Sequence, residues 1–347
     1  MRRVLVARLD SMGDVLLGGP AVRAVASQAQ VVMLCGPRGA DAARMLPGVE
    51  RVLAWDAPWI SNPAPTMDQA HLAELLRLVR GADVDEAVIL TSFHQSPLPL
   101  ALALRLAGVS RIAGASVDYP GSLLDLRLRP GEDLPEDIPE PERALAIAAA
   151  AGFPLPELDD ARMRVRNVPD MTDVVGRDPF VVLHPGAAVP ARTWPVERYE
   201  ETAALLSEQG TRVVLTGSAA ERELTSRIRA AAPEALDLAG SCDLPQLAGV
   251  LAAAQVVVVG NTGPAHLAVA VGTPVVSLFA PVVPSIRWGP YLVPSVVLGD
   301  QDAPCRNSRA RECPVPGHPC LAGVSAAEVL RSVNHLSGEG GAARLRG

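Results

Sequence analysis

Apolar and polar positions along the chain fall into short β-branched runs separated by stretches with the helical spacing of apolar residues, the pattern of parallel sheets built by right-handed crossovers. In the first half the runs are Val4 to Leu9, Val31 to Cys35, Val52 to Trp55 and Ala87 to Thr91. In the second they are Phe180 to His184, Arg212 to Thr216, Val256 to Val259 and Pro274 to Phe279. Helices are predicted between them, over Pro20 to Ser27, His71 to Val79, Leu98 to Ala107, Pro195 to Gln209 and Glu221 to Ala231. The halves look alike. Between them lie a Pro- and acid-rich stretch, Arg129 to Pro141, an Ala-rich helix, Glu142 to Gly152, and a patternless segment, Pro154 to Asp178. A boundary near residue 170 follows, giving domains 1–170 and 171–337. The Gly-rich charged tail 338–347 is expected to be disordered.

Length and composition sharpen this. At ~150 residues per domain, 347 residues predict two domains with a cleft between them. An apolar share of 49% with only 3% aromatic residues means that Ala, Val and Leu fill the cores. The net charge of -7 argues against a nucleic-acid partner, which demands clustered Lys and Arg. No apolar run approaches the ~18 residues of a membrane span, since Leu247 to Val259 is short and interrupted by Gln255. Arg8 and Asp10 break the opening run where a signal peptide would need continuous apolar residues, so a soluble, cytoplasmic protein is expected.

Three strand ends carry candidate chemistry. In the run Leu9 to Leu17 a strand gives way to a helix, which places Ser11, Met12 and Gly13 in the turn and the Asp14 carboxylate at the carboxyl end of the sheet, where open α/β sheets bind ligands. Asp14 is equally readable as a first-turn acid that offsets the helix dipole. In Val259 to Ala268 another strand ends in Gly, followed by Asn261, Thr262, Gly263, Pro264 and His266; hydroxyl and backbone N–H groups at a helix start form an anion site. Singly, His266 also reads as a packed histidine and Asn261 as a turn residue. In Leu183 to Tyr199 a strand ends at His184, a loop carries Gly186, and Arg192 precedes a helix. Its guanidinium suits a diphosphate, or is a surface arginine, with Trp194 anchoring the helix. Gly13, Gly18 and Gly19 lack the GxGxxG spacing, which disfavours an oxidoreductase, and the Asp-x-Asp pair Asp83 and Asp85 precedes a strand rather than following one.

Taken together and in order, the segments LDSMGD, HPG with ARTWP, LTGSAAERE and NTGPAHLAVAVGTPVVSLFAP resemble glycosyltransferase family 9, the lipopolysaccharide heptosyltransferases, over nearly the whole chain. The segment from Ala310 to Leu321 looks like the tail of the heptosyltransferase II branch. The resemblance implies an α/β GT-B fold, two Rossmann-like domains with parallel sheets facing a cleft, the first binding acceptor and the second a nucleotide-sugar. It implies Asp14 as general base. It also implies donor contacts from His184, Gly186, Arg192, Gly217, Ser218, Glu221, Asn261, Thr262, Gly263 and His266, with Glu221 resembling a ribose contact. Arg192 stands where the family usually has Lys, and Asn261 where it has Asp. The acceptor-side candidates are Ser11, Met12 and Gly13 with His94 and Arg105 from the stretch Thr91 to Arg105. The implied reaction is inverting and metal-independent, with ADP-heptose as donor, no cofactor, a saccharide or glycolipid acceptor and at most peripheral membrane contact. A catalytically silent nucleotide-sugar-binding protein of the same fold is the alternative, against which the retained Asp14 weighs. Cys305, Cys313, His318 and Cys320 form the ligand set of a structural zinc site, or are packed thiols in a reducing compartment.

Overall fold

The computed structural model describes residues 2–344, with the side chains of 339–344 outside that description, as are residues 345–347. The chain divides into two units between Arg166 and Asn167.

In the first unit β1 (Arg3–Arg8), β2 (Gln30–Cys35), β3 (Val49–Ala54), β4 (Glu86–Ile89), β5 (Arg111–Ala115) and β6 (Leu126–Leu128) form one sheet in the order β3-β2-β1-β4-β5-β6, with every pair parallel. Val4, Leu5, Val6 and Ala7 are fully buried, as expected for a strand covered on both faces. In the second unit β7 (Phe180–His184), β8 (Arg212–Leu215), β9 (Leu236–Asp237), β10 (Val256–Gly260), β11 (Val275–Leu278) and β12 (Ser295–Leu298) form another parallel sheet, in the order β12-β11-β10-β7-β8-β9. The second order repeats the first. In both, the chain runs outward one way from the first strand and then returns to build the other side. The crossover direction thus reverses between β1 and β4, and again between β7 and β10. Such switch points leave a crevice at the carboxyl ends of the strands, the general ligand position of open α/β sheets.

The helices fall close to the predicted spans. They run over Gly19–Ala26, Gln69–Arg80, Leu98–Ala107, Glu140–Ala150, Val196–Glu208 and Arg222–Ala231. Residues 154–166 of the patternless segment pack without regular structure on the first unit, while the rest opens the second unit and holds the short helix Thr172–Val175. Asp159 pairs with Arg23 at 2.7 Å, and Arg166 Nη2 donates to the Val49 carbonyl at 2.6 Å. These ties are side chain to backbone or to distant side chains, which no local periodicity marks. Past Gly338 the final helix, Ala326–Arg344, continues through the stretch read as a tail.

Candidate functional site

At the switch point of the first unit, Arg8 ends β1 with its guanidinium buried to 2% exposure. Its Nε meets Asp10 Oδ2 at 2.8 Å, its Nη1 donates to Glu140 Oε2 at 3.2 Å, and its Nη2 donates to Asp14 Oδ1 at 3.0 Å and to Ser92 Oγ at 2.7 Å. Gln95 Nε2 donates to Asp10 Oδ1, while its Oε1 accepts from the Ser92 N–H at 3.1 Å. One cation therefore faces three carboxylates from three elements. Burial pushes the Asp10 carboxyl up to about 6, with Arg8 opposing and Asp14 and Glu140 adding. Burial raises Glu140 also, again against the pull of Arg8. Burial works against the Arg8 charge, yet the three carboxylates hold its pKa above the ordinary arginine value.

Asp14 sits in the short helix Met12–Leu17, preceded by Ser11 in extended conformation, and its side chain keeps 24% exposure. Ser11 Oγ donates to Asp14 Oδ2 at 3.2 Å. Gly13 is buried under this turn and Met12 half-buried. On one side lies a cavity of about 380 Å³ lined by Asp10, Arg38, Asp56 and Ser61. Gly36 belongs to its wall, because a Cβ there would stand 2.6 Å from the Leu9 carbonyl oxygen. A second cavity, about 190 Å³, is lined by His94, Gln95, Ser116, Asp118 and Arg143. His94 lies there, edge-on to Phe93. Arg105 does not join them. Its guanidinium donates to the Ser122, Val109 and Ser110 carbonyls and pairs with Asp125 at 2.5 Å. Ser110 leads into β5, so Arg105 works at the opposite end of the sheet, tying a helix end to the start of a strand.

At the switch point of the second unit, His184 ends β7, buried to 5%, with Nδ1 at 3.0 Å from Thr216 Oγ1. Burial lowers its pKa to about 4, against the opposing charge of Glu221, so the ring is neutral near pH 7. After β8, Ser218 and Glu221 form a capping box, with Glu221 Oε2 accepting from the Ser218 N–H at 2.6 Å. The carboxylate lies against two glycines: a Cβ on Gly186 would fall 1.8 Å from Glu221 Oε1, and one on Gly217 3.2 Å from Oε2. After β10, Thr262 caps the helix Gly263–Ala270 in extended conformation, Pro264 occupies its first turn, and His266 is buried to 7%. Arg192 Nη1 reaches the Asn261 carbonyl at 3.3 Å, which brings the cation to this helix start. Asn261 is buried, with Oδ1 accepting from the Ala280 N–H at 3.4 Å. Trp194 is the anchor: its Nε1 donates to the Val324 carbonyl at 3.2 Å and its ring packs edge-on against Tyr199.

The cysteine segment packs on the second core. Cys305 and Cys320 are buried in the second core, with Cys313 packed against it. Burial pushes Cys320 up to about 11, with Cys305 and Cys313 adding. His318 Nε2 is held by the Ala191 carbonyl at 3.1 Å, and among the described residues no three His, Cys, Asp or Glu side chains are grouped to hold a metal ion.

The candidates read from sequence thus form two constellations, Ser11 to Asp14 in one unit and His184, Gly186, Arg192, Glu221 and Asn261 to His266 in the other. Missed were Arg8, Asp10, Ser92, Gln95, Glu140 and Arg143. Arg8 carried a legible signal, a charge inside a strand otherwise apolar on both faces; Glu140 carried only its place between two prolines.

Two parallel sheets of the same strand order, each with polar side chains gathered at its switch point, define the GT-B class of α/β proteins. The family model for glycosyltransferase family 9 (heptosyltransferase) matches residues 135–318, and the chain belongs to that family of glycosyltransferases. It is 28% identical over 334 residues to lipopolysaccharide heptosyltransferase 1 of Pseudomonas aeruginosa, covering 90% of this chain and 87% of that protein. It is 35% identical over 119 residues to lipooligosaccharide heptosyltransferase 2 of Haemophilus influenzae, a match spanning 33% of this chain and 34% of that protein. The solved structure of Escherichia coli ADP-heptose lps heptosyltransferase II shares the fold with a TM-score of 0.74 at 22% identity, over 98% of this chain and 99% of that one. Among the described residues no helix is long and apolar enough to cross a membrane.

Proposed function

We propose that the chain moves heptose from ADP-heptose to a saccharide or glycolipid acceptor of lipopolysaccharide synthesis, by an inverting, metal-independent displacement in the cytoplasm with at most peripheral membrane contact. The first unit holds the acceptor and the second the nucleotide. The names of the relatives supply the donor sugar and the pathway. The chemistry rests on one observation above all: Asp14 is fixed by a buried guanidinium yet keeps a partly exposed carboxylate in the helix that follows β1.

Asp14 takes the proton of the acceptor hydroxyl as its oxygen bonds to the anomeric carbon. The bond from that carbon to the diphosphate breaks, and its electron pair leaves with ADP. Arg192 and the helix start at Thr262 to His266 hold the leaving charge, the role that a metal fills in other transferases. A single displacement of this kind inverts the anomeric centre. Replacement of Asp14 by Asn is expected to lower turnover ~100-fold or more with ADP affinity unchanged, the usual share of a general base. Undiminished turnover would remove the assignment. The alternative of a silent binder predicts no transfer by the wild type at all.

A further inference from the structure

We propose that Glu140 is a positioning residue for Asp14, acting through the Arg8 guanidinium that the two carboxylates share. The proposal rests on the reading of Asp14 as base and adds how that base stays basic.

A carboxylate paired with an arginine alone loses basicity, because a neighbouring opposite charge lowers its pKa by ~1–3 units. Asp14 needs the arginine for orientation and would be weakened by it. The geometry resolves the conflict by dividing the cation. Glu140 Oε2 accepts from both Nη1 and Nη2, at 3.2 and 3.3 Å, and Asp10 stands on Nε. Ser92 Oγ takes a further share of Nη2 and lies 3.4 Å from Glu140 Oε2. Asp14 meets Nη2 with one oxygen and the Ser11 hydroxyl with the other. It is held by the guanidinium without carrying its whole charge.

Glu140 is buried against the Arg8 guanidinium. Its side chain is 1% exposed, its Oε1 has no hydrogen-bond partner, and it comes from a helix 132 residues further along the chain. A buried carboxylate is costly unless a charge demands it, and the charges here are Arg8, which it contacts, and Arg143 one turn beyond it. Pro139 and Pro141 flank it at the start of the helix Glu140–Ala150 and restrict the backbone on both sides. Among the groups that face Asp14 and Glu140 are Arg8 and Asp10 from the end of β1, Ser11 before the first helix, Ser92 and Gln95 after β4, and Arg143 one turn beyond Glu140, whose Nε donates to the Thr91 carbonyl at 3.2 Å.

The test is the pH dependence of kcat in the full-length enzyme. Glu140→Gln keeps the shape and removes the charge, so more of the Arg8 charge falls on Asp14. The acidic limb of kcat should move to lower pH by about one unit and the plateau should fall ~10-fold, because a weaker base removes the proton less well. ADP affinity and the circular dichroism spectrum should not change. Ser92→Ala, a smaller change, frees Nη2 toward Asp14 and should move the limb the same way by a smaller amount, which covers the case in which Glu140→Gln does not fold. A limb that stays in place in the variants that fold, whether or not the plateau falls, overturns the proposal. Asp14→Asn separates the two readings. If it retains turnover, the base assignment fails; if it is inactive while the limb stays in place, only the role of Glu140 fails.

Discussion

The contact between Gly186 and Glu221 shows how a single hydrogen atom in place of a methyl group makes room for a carboxylate. Because a Cβ on Gly186 would lie 1.8 Å from the Glu221 carboxylate, Gly186→Ala must push that carboxylate off the Ser218 N–H. If Glu221 also receives a ribose hydroxyl, titration calorimetry should show adenosine and ADP both binding more weakly, by roughly 1–2 kcal/mol, the scale of one lost hydrogen bond to a charged group. Unchanged affinity with a small loss of thermal stability would leave Glu221 as a helix cap alone. At this scale the sequence showed which polar residues follow a strand end, as Asp14, Glu221 and Thr262 do. It misled at Arg105, since spacing from a strand says nothing of which way along its helix a long side chain reaches, and that guanidinium is spent on Asp125 and three carbonyls.

Neighbouring strands act on each other through their end residues, and His184 on β7 against Thr216 after β8 gives the second sheet a pH response. The folded ring titrates at about 4, below the 6.5 of a free histidine, so between those values the unfolded chain binds more protons. The contribution of His184 is therefore present above pH 6.5 and is lost as the pH falls toward 4, by roughly 3 kcal/mol in all at ~1.4 kcal/mol per unit. Urea unfolding of the second unit at pH 7 and at pH 4.5 should differ more in the wild type than in His184→Asn; equal differences would mean that the ring is charged in the folded protein. The central strands were legible because each is a run of Val, Leu and Ile. β5, β6, β9 and β12 were not: β5 contains Ala and Gly, β9 has two residues, and β6 and β12 are sheet edges whose residues alternate or stay half-exposed.

Over the whole molecule, the same strand order occurs twice, and each copy gathers polar residues at one reversal of its crossovers. If Arg192 and the helix start carry the leaving diphosphate, exhaustive chelation should leave turnover unchanged. It should also leave the melting of the second unit unchanged, because Cys305 and Cys320 contribute as packed thiols. Activity lost to a chelator and restored by one divalent cation would replace that account. The sequence by itself determined the α/β class, the two halves, the central strands and the turn residues at their ends, since these depend on residues a few positions apart. Only the tertiary structure decided that Glu140 and Asp14 share Arg8, that Gln95 closes on Asp10, and that residues 154–166 belong to the first unit. Those contacts join segments up to 139 residues apart in sequence, and a local pattern of apolar and polar positions records that a face is buried but not which distant side chain buries it.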